Sequence, residues 1–336
     1  MLPNLKRRSA DQLSAKTMDR DLALEVVRVT EEAALAASLL MGRGDEKRAD
    51  QVAVDAMRWA LNGLSIDGTV VIGEGERDEA PMLYIGEKVG TGSGPRVDIA
   101  LDPLEGTTIT ARGGPNALAV IAMANAGGFL HAPDVYMEKI AIGPGYPEGL
   151  VQLTAPVAEN LDNIAAAKDV PISELVVCIL DRPRHAQLIA DVRAAGARIA
   201  LIPDGDVSGV IATTQPQSGI DLYIGTGGAP EGVLAAAALR CIGGQMQGRL
   251  VLPGVAEQER ARKCGITDFQ RIYSLHDMAQ GEVMFAATGV TDGAMLRGVR
   301  RNAGRVHTYS MVMRSKSGTV RYIEGVHDLS RKTRPL

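Results

Sequence analysis

The 336-residue chain has little cysteine, no excess of basic charge and no long apolar run, and each shortage removes a class of protein. Cys178, Cys241 and Cys264 are odd in number and far apart, so they supply neither a disulfide framework nor a CxxC zinc site. The plainer role of each is a small buried hydrophobe, and a reducing cytoplasm is the expected compartment. The net charge of −4 speaks against a general nucleic-acid surface, which needs basic charge. No uncharged apolar run is long enough to span a bilayer. Residues 1–8 are basic, but no apolar stretch follows, which predicts no secretory leader. Internal repeats, low-complexity tracts and a Ser-His-Asp or Cys-His constellation are also missing. His185, His276, His307 and His327 stand apart and read as structural or solvent-facing. What remains is 46% hydrophobic and 23% charged, a globular composition with enough length for a large core and two domains.

The informative residues are acidic and follow strands. Residues 97–101 form an apolar run broken by one Asp, which reads as a buried strand. Pro103 cannot donate to a central ladder, so the chain is expected to leave the sheet there. Asp102 and Glu105 then stand at the strand's end, with Gly106 for a tight turn and Thr107 for a hydroxyl. Residues 69–72 repeat the plan: a β-branched strand runs into Gly73 and Glu74, with Glu76, Asp78 and Glu79 close behind. Glu74, placed by the strand and flanked by glycines, is the stronger ligand candidate of these four. A solvated acidic turn is the competing reading. Carboxylates in such groups suit hard cations such as Mg²⁺ and Mn²⁺.

In chain order, residues 1–18 read as an arm. A helix with Asp19 or Asp21 as its cap runs to Met41, and a second spans Lys47 to Leu61. Asp50 lies near the start of the second, where the helix dipole is reason enough for an acid. Residues 117–123 are a strand. Tyr136, Glu138 and Lys139 fall in an irregular to extended stretch. Prolines and glycines over 143–156 mark a boundary between an N-terminal domain (19–150) and a C-terminal one (151–336), with 300–336 left open. Beyond it strands alternate with helices: 175–180, 198–202 and 222–225, each followed by a helix, which predicts a mainly parallel sheet with ligands beyond the strand ends. Arg182, Arg184, Asp204, Asp206 and Glu231 occupy those ends. Glu231 also opens a helix, so the dipole reading competes there as well. The Gly-rich loop before it lacks a following Gly-Lys-Ser/Thr, which removes a Walker site. Residues 253–276 read as charged surface, 283–289 as a strand and 306–325 as a hairpin.

Five carboxylates, Asp50, Glu74, Asp102, Glu105 and Glu231, cannot share a pocket unneutralised, and divalent cations are the economical answer. Arg182, Arg184, Lys139 and Tyr136 suit phosphate or polyol binding. Asp204 and Asp206 suit sugar hydroxyls. Cations beside a phosphate clamp point to metal-assisted hydrolysis of a phosphate monoester.

Asp102-Pro-Leu-Glu-Gly-Thr107 resembles the signature of the lithium-sensitive sugar-phosphatase superfamily. Several further stretches are more specific: Gly42-Arg-Gly-Asp45 with Asp50, Ile72-Gly-Glu-Gly-Glu76, Glu79-Ala-Pro-Met-Leu-Tyr-Ile-Gly-Glu-Lys88, Asn116-Ala-Leu-Ala-Val120, Pro183-Arg-His185, Ile202-Pro-Asp-Gly-Asp206 and Gly227-Gly-Ala-Pro-Glu-Gly232. Together, over about residues 19–330, they resemble the class II, GlpX-type bacterial fructose-1,6-bisphosphatases. The resemblance implies a layered αβαβα fold of mixed α/β class, with the active site between two sheet-containing halves. It implies Mn²⁺- or Mg²⁺-dependent removal of the C1 phosphate of fructose 1,6-bisphosphate in gluconeogenesis, by a homo-oligomer, dimer or tetramer. It implies metal-site roles for Asp50, Glu74, Asp102, Glu105 and Glu231, and a water-assisting role for Thr107. Gly106, Thr107, Tyr136, Arg182, Arg184, Asp204 and Asp206 fall on substrate-contacting positions. Some relatives carry Lys where Arg182 stands.

Three other readings compete: a dual enzyme that also takes sedoheptulose 1,7-bisphosphate, a superfamily phosphatase acting on inositol phosphates or phosphoadenosine, and a non-catalytic sugar-phosphate sensor. Thr107 has its own pair of roles. Either its hydroxyl relays a proton from the attacking water to Asp50 or Glu74, or it caps the helix that follows.

Overall fold

The computed structural model describes residues 22–75 and 82–331. In chain order the elements are α1 (Leu22–Ala37), α2 (Glu46–Asn62), β1 (Asp67–Ile72), β2 (Lys88–Val89), β3 (Arg96–Glu105), α3 (Thr107–Arg112), β4 (Leu118–Asn125), β5 (Tyr136–Ile142), α4 (Val157–Lys168), β6 (Val176–Leu180), α5 (Ala186–Ala194), β7 (Arg198–Ile202), α6 (Asp206–Ala212), β8 (Leu222–Gly228), α7 (Ala229–Ile242), β9 (Gln245–Val251), α8 (Val255–Lys263), β10 (Ile272–Ser274), α9 (Leu275–Met278), β11 (Val283–Gly289), β12 (Arg300–Asn302), β13 (Arg305–Arg314) and β14 (Thr319–Asp328). The expected arm at 1–18, the caps Asp19 and Asp21, and the acids Glu76, Asp78 and Glu79 lie outside the described residues.

The strands form two sheets. An eight-stranded sheet runs β12-β13-β11-β4-β3-β1-β2, with β14 on β13, and a six-stranded sheet runs β10-β9-β5-β8-β6-β7. α1 and α2 pack one face of the large sheet through Val26, Val29, Ala33, Met57 and Leu61, against Ile99, Ile121 and Met284. α4 and α5 cover the outer face of the small sheet, with Leu161, Ile164 and Val192 on Val177 and Ile179. Between the sheets lie α6 and α7. Val233, Leu234, Leu239 and the alanines 235–238 of α7 are buried on every side, as expected for a helix that is apolar all round. Its small residues let two sheets close on one helix. The result is the helix–sheet–helix–sheet–helix layering expected from the resemblance.

Three expectations need correction. The small sheet is parallel only across β7, β6 and β8; β5, β9 and β10 are antiparallel. The division near residue 150 does not follow the sheets: β5 belongs to the small one, while β11 to β14 return to the large one. The strand before the signature does not end at Pro103. β3 pairs with β1 as far as Ala100 and with β4 at Asp102 and again at Glu105, with a register shift between them. Pro103 thus sits in a bulge, past the last β1 pairing, where its missing N–H interrupts no ladder. The bulge also re-aims Asp102 and Glu105.

Candidate active site

The five acids expected at the metal site lie at the end of a strand or in the first two turns of a helix. Asp45, whose side chain accepts from the Arg48 N–H at 3.0 Å, caps α2. Asp50 is therefore one turn further in than a dipole role requires; Glu46 is the acid of the first turn. Glu74 follows β1, and its N–H donates to Leu83 O at 3.0 Å. Asp102 and Glu105 bracket the β3 bulge. Glu231 lies in the first turn of α7.

Burial raises the pKa of all five. Glu74 is pushed up to about 8, first by burial and then by the charges of Asp50 and Glu231. Burial, with Asp206, lifts Glu231 to about 7, against the pull of Lys139. Asp102 is held well above the ordinary range by burial and by Glu74, Glu105 and Glu231. Glu105 is held up by burial and by Asp206, although its Oε1 accepts from the Val207 N–H at 2.8 Å. Asp50 is raised by burial. The acids are thus one electrostatic cluster. Oε2 of Glu105 and Oε2 of Glu231 are buried and without a hydrogen-bond partner, an arrangement that costs free energy unless something occupies the space. The donor set is all carboxylate oxygen, which suits a hard divalent cation. No group of three or more His, Cys, Asp or Glu among the described residues is already closed into a cation-holding arrangement. The acids face one another within electrostatic reach, and they fit a cation by the unmet oxygens.

Two clefts meet at this cluster. One, of about 200 Å³, is lined by Glu74, Asp102, Asp134 and Glu231. The other, of about 560 Å³, is lined by Tyr136, Arg182, Arg184, Asp204, Asp206 and Arg260, and shares Asp134 and Glu231 with the first. The Arg184 guanidinium donates to Thr226 O at 3.0 and 2.8 Å and stacks over the Tyr136 ring, 4.6 Å from its centroid. Arg182 bonds Asp181 O at 3.1 Å and Pro203 O, and lies 3.6 Å from Asp204. His185 is structural, as expected: its Nδ1–H donates to Leu180 O at 2.7 Å, and its Nε2 accepts from the Thr226 N–H at 2.8 Å. That pairing fixes one tautomer, burial lowers the ring's pKa, and the peptide that Arg184 grips is held in place.

Several readings change. Lys139 is not a phosphate ligand. It is buried, ion-paired to Asp206 and bonded to Gly228 O at 2.7 Å. Asp206 lines the cleft but is buried on Lys139, so Asp204 is the half-exposed acid of the pair. Gly106, at φ +90°, is the N-cap of α3, and no side chain caps this helix. Thr107 is its first residue, so the capping role expected as one alternative is not the one it plays. The Gly-rich loop serves close approach: a Cβ at Gly228 would overlap the Glu231 carboxylate. Asp134 and Arg260 also line these clefts, although Asp134 carries no local signal in the sequence and α8 reads as plain charged surface.

A phosphatase is the class of protein that this arrangement defines, with an acidic cluster opening onto an arginine-lined cleft. A model of the family described as bacterial fructose-1,6-bisphosphatase, glpX-encoded, matches residues 20–327. The sequence is 51% identical to fructose-1,6-bisphosphatase 1 class 2 of Escherichia coli (strain K12), over 94% of this chain and 97% of that protein. The class 2 fructose-1,6-bisphosphatase of Shigella flexneri gives the same figures, 51%, 94% and 97%. Among solved structures, the extragenic suppressor protein suhB from Bartonella henselae is similar at 15% identity and a TM-score of 0.33, over 58% of this chain and 74% of that one. An extragenic suppressor from Pyrococcus furiosus follows at 12% and 0.29, over 57% and 68%. The chain belongs to the glpX-encoded bacterial fructose-1,6-bisphosphatase family.

Proposed function

We propose that the protein hydrolyses the C1 phosphate of fructose 1,6-bisphosphate, giving fructose 6-phosphate and inorganic phosphate in the gluconeogenic direction, with Mn²⁺ or Mg²⁺ as cofactor. The observation that carries this reading is the five-acid cluster with two unmet buried carboxylate oxygens, opening onto a cleft with an arginine stacked on a tyrosine. The 51% identity to named class 2 enzymes supports the choice of sugar bisphosphate.

Asp50, Glu74, Asp102, Glu105 and Glu231 would hold the cations. Bound there, divalent ions would neutralise the acids and the phosphate and acidify a water. The chain supplies the rest. Arg184, with Tyr136 beneath it, and Arg182 grip the distal phosphate. Asp204 accepts from sugar hydroxyls. Gly106 admits the reacting phosphate close to the backbone. The Thr107 hydroxyl holds the attacking water and passes its proton toward Asp50 or Glu74. A P–O bond forms from water as the bond to the C1 oxygen breaks; the C1 oxygen takes a proton from solvent, and the carboxylate later returns the one it received to solvent.

Homo-oligomerisation is supported by the outer strand β14, which exposes Tyr322 and Val326. No described helix is long and apolar enough to cross a membrane. The test is a matrix of substrate against metal on stripped protein. Phosphate release from fructose 1,6-bisphosphate is expected with Mn²⁺ or Mg²⁺ and none in excess chelator. Undiminished turnover in chelator would overturn the metal reading. Fast turnover of inositol phosphate beside little of the bisphosphate would overturn the substrate.

A further inference from the structure

Asp134 stands where the two clefts join, lining both. Its backbone is fixed on each side. The Val135 N–H donates to Pro133 O at 2.9 Å, and Val135 O accepts from the Ala229 N–H at 2.8 Å, tying this turn to the start of α7. Ala132, Pro133 and Val135 are buried, whereas Asp134 is exposed. Arg260 of α8 donates through Nη1 to the main-chain oxygen of Asp134 at 3.2 Å. The guanidinium thus holds the backbone, and the Asp134 carboxylate makes no hydrogen bond or ion pair among the described residues. An exposed aspartate without a partner is ordinary by itself. This one shares a cleft of about 200 Å³ with Glu74, Asp102 and Glu231. The buried Oε2 of Glu231 in that same cleft is unmet. The charge of Asp134 is felt at Glu231. An acid placed there adds to a repulsion at Glu231 that Lys139 offsets only in part, since the Glu231 pKa stays raised.

We propose that Asp134 is a further cation-facing carboxylate of the site, holding a divalent ion from the small-sheet side, directly or through one water, with Arg260 as the residue that positions it. The proposal rests on the metal reading above. It makes β5 the link between the two clefts. Asp134 faces the cation two residues before Tyr136, which opens β5 and lies under the arginine that grips the phosphate.

The experiment is calorimetric titration of metal-stripped protein with Mn²⁺, without substrate. The parent is compared with Asp134→Asn and with Glu257→Gln, which removes an equal charge from the arginine-side cleft alone. Asp134→Asn is expected to weaken Mn²⁺ binding by about tenfold or more. Glu257→Gln should leave it within about twofold, because its charge lies in the other cleft and is screened at that separation. Because Asp134 is exposed, the urea midpoint of Asp134→Asn in chelator should equal the parent's. Parent-like Mn²⁺ affinity in Asp134→Asn overturns the proposal. So does an equal loss in both variants that vanishes in about 0.5 M salt, the mark of a diffuse field. A parent that binds no divalent ion overturns the metal reading itself, and the two failures are distinguished by the parent's own titration.

Discussion

Replacing Glu74 by Gln should stabilise the metal-free protein at alkaline pH, against the usual direction of changes at buried sites. The side chain keeps its shape and loses its charge. Its ordinary pKa of 4.5 is raised to about 8 in the fold, by burial first and then by Asp50 and Glu231. At about 1.36 kcal/mol per pH unit, that rise is on the order of 5 kcal/mol when the acid is fully ionised. Relaxation and water entry reduce this to roughly 2–3 kcal/mol, within the usual two- to threefold spread of buried-charge effects. The folded state holds its proton more tightly than the unfolded chain, so the cost is absent below about pH 4.5, grows through the window from 4.5 to about 8, and is complete above it. In chelator, urea unfolding of parent and Glu74→Gln should nearly coincide at about pH 5 and differ by roughly 2–3 kcal/mol at about pH 8.5, the variant being more stable. Adding Mn²⁺ at the higher pH should reverse the order, because the parent gains more from the ion. A variant no more stable than the parent at pH 8.5 in chelator would refute the reasoning, since Glu74 would then not be a buried charge awaiting a counter-ion.

Thr107→Ala should change folding stability by less than about 0.5 kcal/mol, because Gly106 is the cap, while kcat falls by roughly 10²–10⁴ with KM nearly unchanged; Thr107→Ser should keep much of the rate. An early-melting Thr107→Ala with normal turnover would return the residue to a purely structural role. Gly228→Ala places a methyl against the Glu231 carboxylate and should lose most of the thermal shift that Mn²⁺ gives the parent; a retained shift would mean that Glu231 holds no ion. Arg184→Lys loses the paired bonds to Thr226 O and the stack on Tyr136, so KM for the bisphosphate should rise about tenfold with little change in kcat, and an unaltered KM would take Arg184 off the distal phosphate.

The strand-end acids were readable because their signal is local. An apolar run followed by a carboxylate with a glycine close by describes Glu74, and Asp102 with Glu105, without any knowledge of the sheets. The Arg182 and Arg184 turn after β6 and the Asp204 turn after β7 were found in the same way. What escaped depends on distant partners. Lys139 looks like a free cation until its partner Asp206, 67 residues away, is brought beneath it. Asp134, between Pro133 and Val135, has no pattern around it; only the meeting of two clefts gives it meaning. β9 did carry a signal, the alternating burial of Gln245–Val251, but its short polar stretch with Gly248 reads as weakly as a loop. Thr107 was displaced by one position from its place in the helix. A capping hydroxyl is a sequence signal, whereas a left-handed glycine cap shows only in the backbone. Sheet membership was hidden for the same reason as Lys139: nothing near residue 120 announces that its neighbour starts at residue 283.

That pairing of β4 with β11 bears on how the enzyme is made. β4 ends at Asn125 and its second neighbour begins at Val283. During synthesis, β3, which carries Asp102 and Glu105, and β4 emerge long before the strands that complete their sheet, and one edge of β4 stays open until β11 is out. Closing so long a loop is slow, and an open apolar edge is a template for wrong partners. The acids repel one another throughout that interval, so a divalent ion captured early would aid assembly as well as catalysis. Refolding of denatured protein should therefore give a higher yield of native enzyme when Mn²⁺ is present from the start than when it is added after refolding has ended.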